Sequence, residues 1–277
     1  MLKQRILTAI ILVPLLVWGI FALPKQWFTL LAAIVFLAAC WEWTRLAELT
    51  SSLQRVVYCV VLAALMVLYW QLTVKHHPAV KISLYITALL WLGALVWLYM
   101  YEAKGMRQPV SKAQRIVIGY ILLLMPFTGF AVLSYYTANA PQYILYLLVS
   151  IWVADSGAYF SGRKWGKHKL APTISPGKSR EGVVGGMIGS MLVAVLAGSL
   201  VFKLQGADWA VFVLITLISV IVSVAGDLFE SVFKRQTGIK DSGSLLPGHG
   251  GILDRVDSLN SAVPVFVTGL MLAGVIG

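Results

Sequence analysis

The sequence predicts an all-α, polytopic integral membrane protein of about nine transmembrane helices with its N-terminus in the cytoplasm. Three observations carry that prediction. Of the 277 residues, 59% are hydrophobic and 12% charged, with a mean hydropathy of +0.84, whereas a soluble domain of this size carries about 25% charged residues. The apolar residues fall in nine runs close to the ~20 residues that cross a bilayer core as a helix. Finally, alternating those runs from a cytoplasmic start leaves eighteen Lys and Arg residues on the inner side and only Lys25, Lys75, Lys81 and Lys203 outside, a strong positive-inside bias. The net charge of +11 is thereby explained by topology. Its cations are spread over short loops and do not gather on one soluble face, so no nucleic-acid partner is expected.

The runs cover about 6–23, 27–43, 56–74, 82–101, 116–136, 142–160, 183–203, 209–227 and 259–276. The first, behind Met1-Leu2-Lys3-Gln4-Arg5, imitates a signal peptide, but Ile20-Phe21-Ala22 is a poor cleavage site and eight spans follow, so it reads as a retained helix. The second is short, and Glu42 sits near its end. Trp and Tyr recur near span ends, for example Trp41, Trp43, Tyr135 and Tyr136, as interfacial anchors do. Cys40 and Cys59 lie in or beside apolar runs and read as small hydrophobes. His76-His77, adjacent in an outer loop, cannot point the same way and read as solvated residues, not a metal pair. The first five spans hold almost no ionisable group at depth and read as scaffold. The chain divides into a single membrane domain over 1–277, with scaffold helices in 1–137 and the chemistry in 138–277.

The second half differs. Asp155 lies inside span six, about two turns before Arg163, and an intramembrane carboxylate costs several kcal/mol unless paired or wet, so it is a site candidate. Asp155, Tyr159 and Gly162 share one helix face. The cytoplasmic loop 161–182 then brings Arg163, Lys164, Lys167, Lys169, Lys178 and Arg180. Its Ser175-Pro176-Gly177-Lys178-Ser179 lacks the first glycine and the preceding strand of a P-loop, yet Ser, Gly and Lys are the residue types that hold a triphosphate. Gly182, Gly185, Gly186 and Gly189 let span seven approach a neighbour closely. Span eight stays helix-compatible up to Gly238, placing Asp227, Glu230 or Ser231, and Lys234 on one face at the inner edge of the bilayer.

Charge is densest in the second cytoplasmic loop, 228–258. Asp254 and Asp257 stand three apart, one helix face, and with Asp227 they make three acids suited to a hard cation. Pro247-Gly248-His249-Gly250-Gly251 has so little bulk that its backbone N–H groups can approach an anion. Lys234, Arg235, Lys240 and Arg255 add fixed positive charge. Carboxylates for Mg²⁺ beside a basic, glycine-rich cradle are what phosphoryl or nucleotidyl transfer needs, because that chemistry is mostly positioning and charge neutralisation.

Ser231-x-x-Lys234-Arg235-x4-Lys240-Asp241, followed by Leu246-Pro247-x-His249-Gly250-Gly251-x-x-Asp254-Arg255-x-Asp257, resembles the signature of the phosphatidate cytidylyltransferase (CDP-diacylglycerol synthase) family. The resemblance extends upstream through Asp155-Ser156-Gly157-Ala158-Tyr159, Gly162-Arg163, Gly166-Lys167 and Ile174-Ser175-Pro176-x-Lys178-Ser179-x-Glu181-Gly182, roughly the second half of the chain. Gly177 and Ser179 stand where family members often carry Lys and Thr, which bears on how many cations this loop brings to the nucleotide.

The resemblance implies transfer of a cytidylyl group from CTP to phosphatidic acid. It also implies Mg²⁺, with or without a second cation, held by Asp227, Asp254 and Asp257 as the catalytic and metal residues, and a homodimer. Substrate binding is expected at Asp155, Ser175, Lys178, Lys240, His249, Gly250, Gly251 and Arg255, with Lys178, Lys240 and Arg255 on phosphates and His249 as a hydrogen-bond donor. The expected setting is a bacterial cytoplasmic (inner) membrane with the site on its cytoplasmic side. A CTP-dependent lipid kinase and a secondary transporter are the rival readings. The kinase would leave CDP, and the transporter lacks an inverted repeat.

Overall fold

The computed structural model describes residues 2–105, 108–243 and 250–276, with the side chains of the first helix described from Ile10 onward. Among the described residues there are nine α-helices and one β-hairpin: α1 (Leu2–Ala22), α2 (Lys25–Leu46), α3 (Ser52–Val74), α4 (Pro78–Ala103), α5 (Lys112–Tyr136), α6 (Ala140–Trp165), β1 (Lys169–Ala171), β2 (Ser175–Ser179), α7 (Arg180–Leu200), α8 (Asp208–Gln236) and α9 (Leu253–Leu272). Each predicted apolar run is one of these helices. Seven, α2 to α8, are long and apolar enough to cross a membrane. This is an all-α, multi-pass membrane architecture.

Sequence chemistry sets the helix ends. Ser111 and Gln114 form a reciprocal capping box that starts α5: the Gln114 amide donates to Ser111 Oγ (3.4 Å) and the Ser111 amide to Gln114 Oε1 (2.9 Å). His77 is the N-cap of α4, its Nδ1 accepting the Ala79 amide, with Pro78 at the first helical position. His76, at φ 52°, stacks on Tyr136. The histidine pair therefore shapes a turn, in addition to being exposed. The Cys40 and Cys59 sulfurs lie 3.5 Å apart between α2 and α3, both as free thiols.

Burial sorts the bundle. Leu123, Ala131, Val132 and Leu133 of α5 and Ala262, Val263, Phe266 and Val267 of α9 are completely inaccessible, so these two helices form the centre. Val60 of α3, Leu89 of α4 and Leu192 of α7 are among the large apolar side chains left exposed. In water that exposure would be unfavourable, whereas against hydrocarbon it costs nothing. Arg115, only 3% exposed, knots one end of the bundle. Its Nε donates to Val110 O, its Nη1 to Leu46 O and its Nη2 to Gln236 Oε1, and it pairs with Glu48 at 3.1 Å. A planar guanidinium with five donors suits a junction where the ends of α2 and α8 meet the start of α5.

The first charged loop is more ordered than the sequence predicts, and in the second α8 extends as expected. Within 161–182, α6 runs on to Trp165 and the rest folds as an antiparallel hairpin pairing Lys169 with Ser179 and Ala171 with Ser175. Within 228–258, α8 continues to Gln236 and α9 begins at Leu253. The extension of α8 past Asp227 is nine residues, about 13 Å of helix, so the charged face from Asp227 to Lys234 stands beside the hairpin.

Candidate active site

Helices α6 and α7 pack backbone to backbone. A Cβ added at Gly182 would lie 2.8 Å from the Ala158 carbonyl, and one at Gly186 would lie 2.5 Å from that of Ala154; only glycine permits this approach. The tight pair leaves a cavity of about 600 Å³ on one side, bounded by α6, the hairpin, α7 and α8. Asp155, Tyr159 and Gly162 all line it, on the shared face expected of them, and Ser175, Lys178 and Asp227 face them.

At the centre of this cavity Lys178 Nζ meets Asp227 Oδ2 at 2.6 Å, each side chain about a quarter to a third exposed. Ser231 Oγ donates to the other Asp227 oxygen at 3.3 Å. Asp227 is within electrostatic reach of both Asp155 and Asp257, while Lys178 acts on both of those acids and Arg255 on Asp155. Three carboxylates and two cations from α6, β2, α8 and α9 thus share one field.

A second cluster lies one to two turns along α8. Lys234, 8% exposed, is held between Glu230 Oε1 at 2.7 Å and Asp254 Oδ1 at 2.5 Å. Asp254 also accepts the Ser242 amide (3.2 and 3.1 Å to its two oxygens) and the Gly251 amide at 2.9 Å. Both oxygens of Asp254 are therefore committed to structure. Asp257, one turn on, accepts the Ser258 amide through Oδ1 at 2.7 Å.

These contacts test the expected cation site. Among the described residues no three His, Cys, Asp or Glu side chains converge as metal ligands. Mg²⁺ is commonly held by one or two carboxylates with phosphate and water completing its shell, and Asp227 and Asp257 could meet that requirement only when Lys178, now paired with Asp227 Oδ2 while Ser231 donates to Oδ1, turns to a phosphate. Asp254 does not fit it in this arrangement, because Lys234 and two amides already occupy its oxygens.

The hairpin is held from outside the cavity. Glu102 of α4 accepts the Thr173 amide at 3.0 Å and the Ile174 amide at 3.3 Å, and Arg235 Nε donates to Ile174 O. Ile174 itself is 1% exposed, plugged among Leu98, Tyr101, Leu228 and Val232. At the base of the hairpin, Glu181 accepts the Lys167 and His168 amides and meets His168 Nδ1 at 2.6 Å.

Of the residues singled out in the sequence, Asp155, Ser175, Lys178, Asp227, Asp257 and Arg255 share the cavity or its field. Asp254, Gly250 and Gly251 belong to the neighbouring turn, and Lys240 is exposed after Gly238. His249 lies outside the described residues. Sequence reasoning missed Glu42, Glu102 and the buried Arg115. Glu42 is 2% exposed and accepts the Ser242 hydroxyl and the Leu253 amide. Its only signal was an acid interrupting an apolar run.

The cytidylyltransferase family model matches residues 3–273. A phosphatidate cytidylyltransferase of Pseudomonas aeruginosa is 40% identical, the match covering 99% of this chain and 98% of that protein. One of Haemophilus influenzae is 36% identical, covering 96% and 97%. One of Staphylococcus haemolyticus is 43% identical over 148 residues, 53% of this chain and 56% of that protein.

Proposed function

The chain belongs to the cytidylyltransferase family, and from that membership and the cavity we propose that it is an enzyme transferring a cytidylyl group from CTP to phosphatidic acid. The products are CDP-diacylglycerol and pyrophosphate. The observation that carries this reading is the Lys178–Asp227 pair at 2.6 Å, set in a cavity between membrane helices, where a phosphate can take the lysine and a cation the aspartate.

An oxygen of the phosphatidate headgroup attacks the α-phosphorus of CTP in line. A P–O bond forms there, and the bond from the α-phosphorus to the bridging oxygen breaks, its electron pair leaving with pyrophosphate. The nucleophile is already ionised near neutral pH, so no side chain has to remove a proton. Lys178 and Arg255 neutralise phosphate oxygens, Arg255 through a fork that takes two at once. Ser175 and the backbone of Gly177 line the triphosphate path, with the exposed Lys240 at the solvent end; His249 is the expected hydrogen-bond donor to phosphate. Asp227 and Asp257 would hold Mg²⁺, which when bound offsets charge on the triphosphate and the leaving group. Asp254 acts one step back, fixing Lys234 and the turn before α9. Asp155 orients Lys178 and Arg255 from the α6 side. The lipid tails remain among the exposed apolar helix faces. A cytoplasmic site in a bacterial inner membrane and a homodimeric assembly complete the proposal, supported by the positive-inside bias and the family resemblance respectively.

The test is a product assay on purified protein with phosphatidic acid, Mg²⁺ and CTP labelled at the α-phosphorus. Label is expected in the lipid, and Asp257→Asn is expected to reduce its rate by about 10³-fold, the scale seen when one electrostatic group of a preorganised site is removed. Label recovered in soluble CDP would instead identify a kinase.

A further inference from the structure

Helix α9 carries Asp254 and Asp257 in its first two turns, yet its own sequence gives it no cap. Ile252, in the N-cap position, offers no side-chain acceptor, and the first amides of any helix need one. The acceptor comes from the other half of the molecule. Glu42 Oε2, on α2, accepts the amide of Leu253, the first residue of α9, at 2.8 Å, across 211 positions of chain. The same oxygen accepts the Ser242 hydroxyl at 2.9 Å. Ser242 is completely buried; its carbonyl accepts Arg45 Nη1 at 3.1 Å, and its amide donates to Asp254.

The fit around Glu42 is tight. A Cβ added at Gly243 or Gly251 would collide with the Glu42 carboxylate, and at Gly251 also with the Ser242 hydroxyl. Gly243 and Gly251 are thus accounted for by a carboxylate in a distant helix, independently of any approach to phosphate.

We propose that Glu42 is a positioning residue for the transfer reaction, an N-cap supplied by α2 that fixes the start of α9 and with it the placement of Asp257 against Asp227. The proposal rests on the function proposed above. Glu42 touches no substrate; it acts through the Leu253 amide and Ser242. A capping carboxylate also favours the positive end of the helix dipole. Both bonds need an acceptor at one point, and neither needs a full charge.

The test combines steady-state kinetics with amide hydrogen exchange of the 250–257 segment, on full-length protein in detergent. Glu42→Ala is expected to lower kcat about 10²-fold, the cost of displacing a group by about 1 Å, with little change in KM for CTP, and to speed exchange at the Leu253 amide. Glu42→Gln, whose amide oxygen can accept both bonds, is expected to restore both readouts to near wild type. Should Glu42→Ala not fold, Ser242→Ala removes one bond and is expected to shift both readouts in the same direction. Wild-type kcat and wild-type exchange in a folded Glu42→Ala or Ser242→Ala protein would overturn the proposal. So would a Glu42→Gln protein as impaired as the alanine variant. Faster exchange in Glu42→Ala together with wild-type protein that transfers no cytidylyl group would keep the cap and sink the reaction instead.

Discussion

Two segments carry candidate site residues beside α6 and α8, the hairpin and the start of α9, and each is held by a glutamate from the first half of the chain, but in opposite surroundings. The turn before α9 is held by Glu42, 2% exposed, and by the buried Lys234 between Glu230 and Asp254. The hairpin is held by Glu102, whose bonds to Thr173 and Ile174 are longer and partly open to solvent, and by the apolar plug of Ile174. The first anchor is polar and dry, the second apolar with a wet polar guard. A dry polar anchor is directional: it fixes one geometry and fails badly when one partner is lost. An apolar anchor is less directional and degrades with the volume removed. In the proposed reaction the acids of α9, which need accurate placement, hang from the first, and Lys178, which would exchange Asp227 for a phosphate, hangs from the second.

The sharpest way to break this contrast is Lys234→Ala. It leaves Glu230 and Asp254 buried against each other without a cation, and removing one partner of a buried pair costs about 3–5 kcal/mol. Thermal unfolding in detergent should show the loss, and activity should disappear with it. If Lys234→Ala unfolds no more easily than wild type, the dry anchor is not one. Next in size is Ile174→Ala. Emptying a buried isoleucine site costs about 2–5 kcal/mol, and the lower end is expected because the hairpin can settle into part of the space. Its kinetic signature should be a raised KM for CTP with a smaller change in kcat, since α9 is untouched. A kcat loss as large as that of Glu42→Ala would mean that the two anchors are not separable.

How much of this was legible in the sequence follows from range. The nine helices of the described residues come from runs of apolar residues, so their existence was readable, whereas an end such as that of α5, read at about 116, is set at Lys112 by the Ser111–Gln114 box. The face of α6 carrying Asp155, Tyr159 and Gly162, and the glycine approach of α7, follow from helical period and size. The loops were the weak point. Basic, glycine-containing stretches read as open, yet 169–179 pairs as a hairpin because Glu102, some 70 residues away, and the plug site of Ile174 hold its tip. The three acids showed a cation-binding pattern, but only tertiary contacts reveal that Lys234 and two amides take both oxygens of Asp254 while Asp227 pairs with Lys178 in the cavity. Glu42 read as a flaw in a membrane span because its partners, Ser242 and Leu253, are 200 and 211 positions away.

The smallest expected effect tests the wet side of the comparison. Glu102→Gln keeps an oxygen for one of the two amides and loses the charge. A hydrogen bond to a charged acceptor is worth about 1.5–3 kcal/mol when dry, against about 0.5–1.5 kcal/mol for a typical neutral bond. Water competes for Thr173, so the variant should lose no more than about 1 kcal/mol and keep its kcat. The same chemical change at Glu42 is also expected to be mild, because there the acceptor position, not the charge, does the holding. Truncation to alanine separates the two sites: at Glu102 it leaves amides that water can reach and Ile174 still plugged, whereas at Glu42 it strands the Leu253 amide in a dry site. A Glu102→Ala protein with kcat reduced as far as that of Glu42→Ala would show that solvent does not relieve the hairpin, and the distinction between the two anchors would fall.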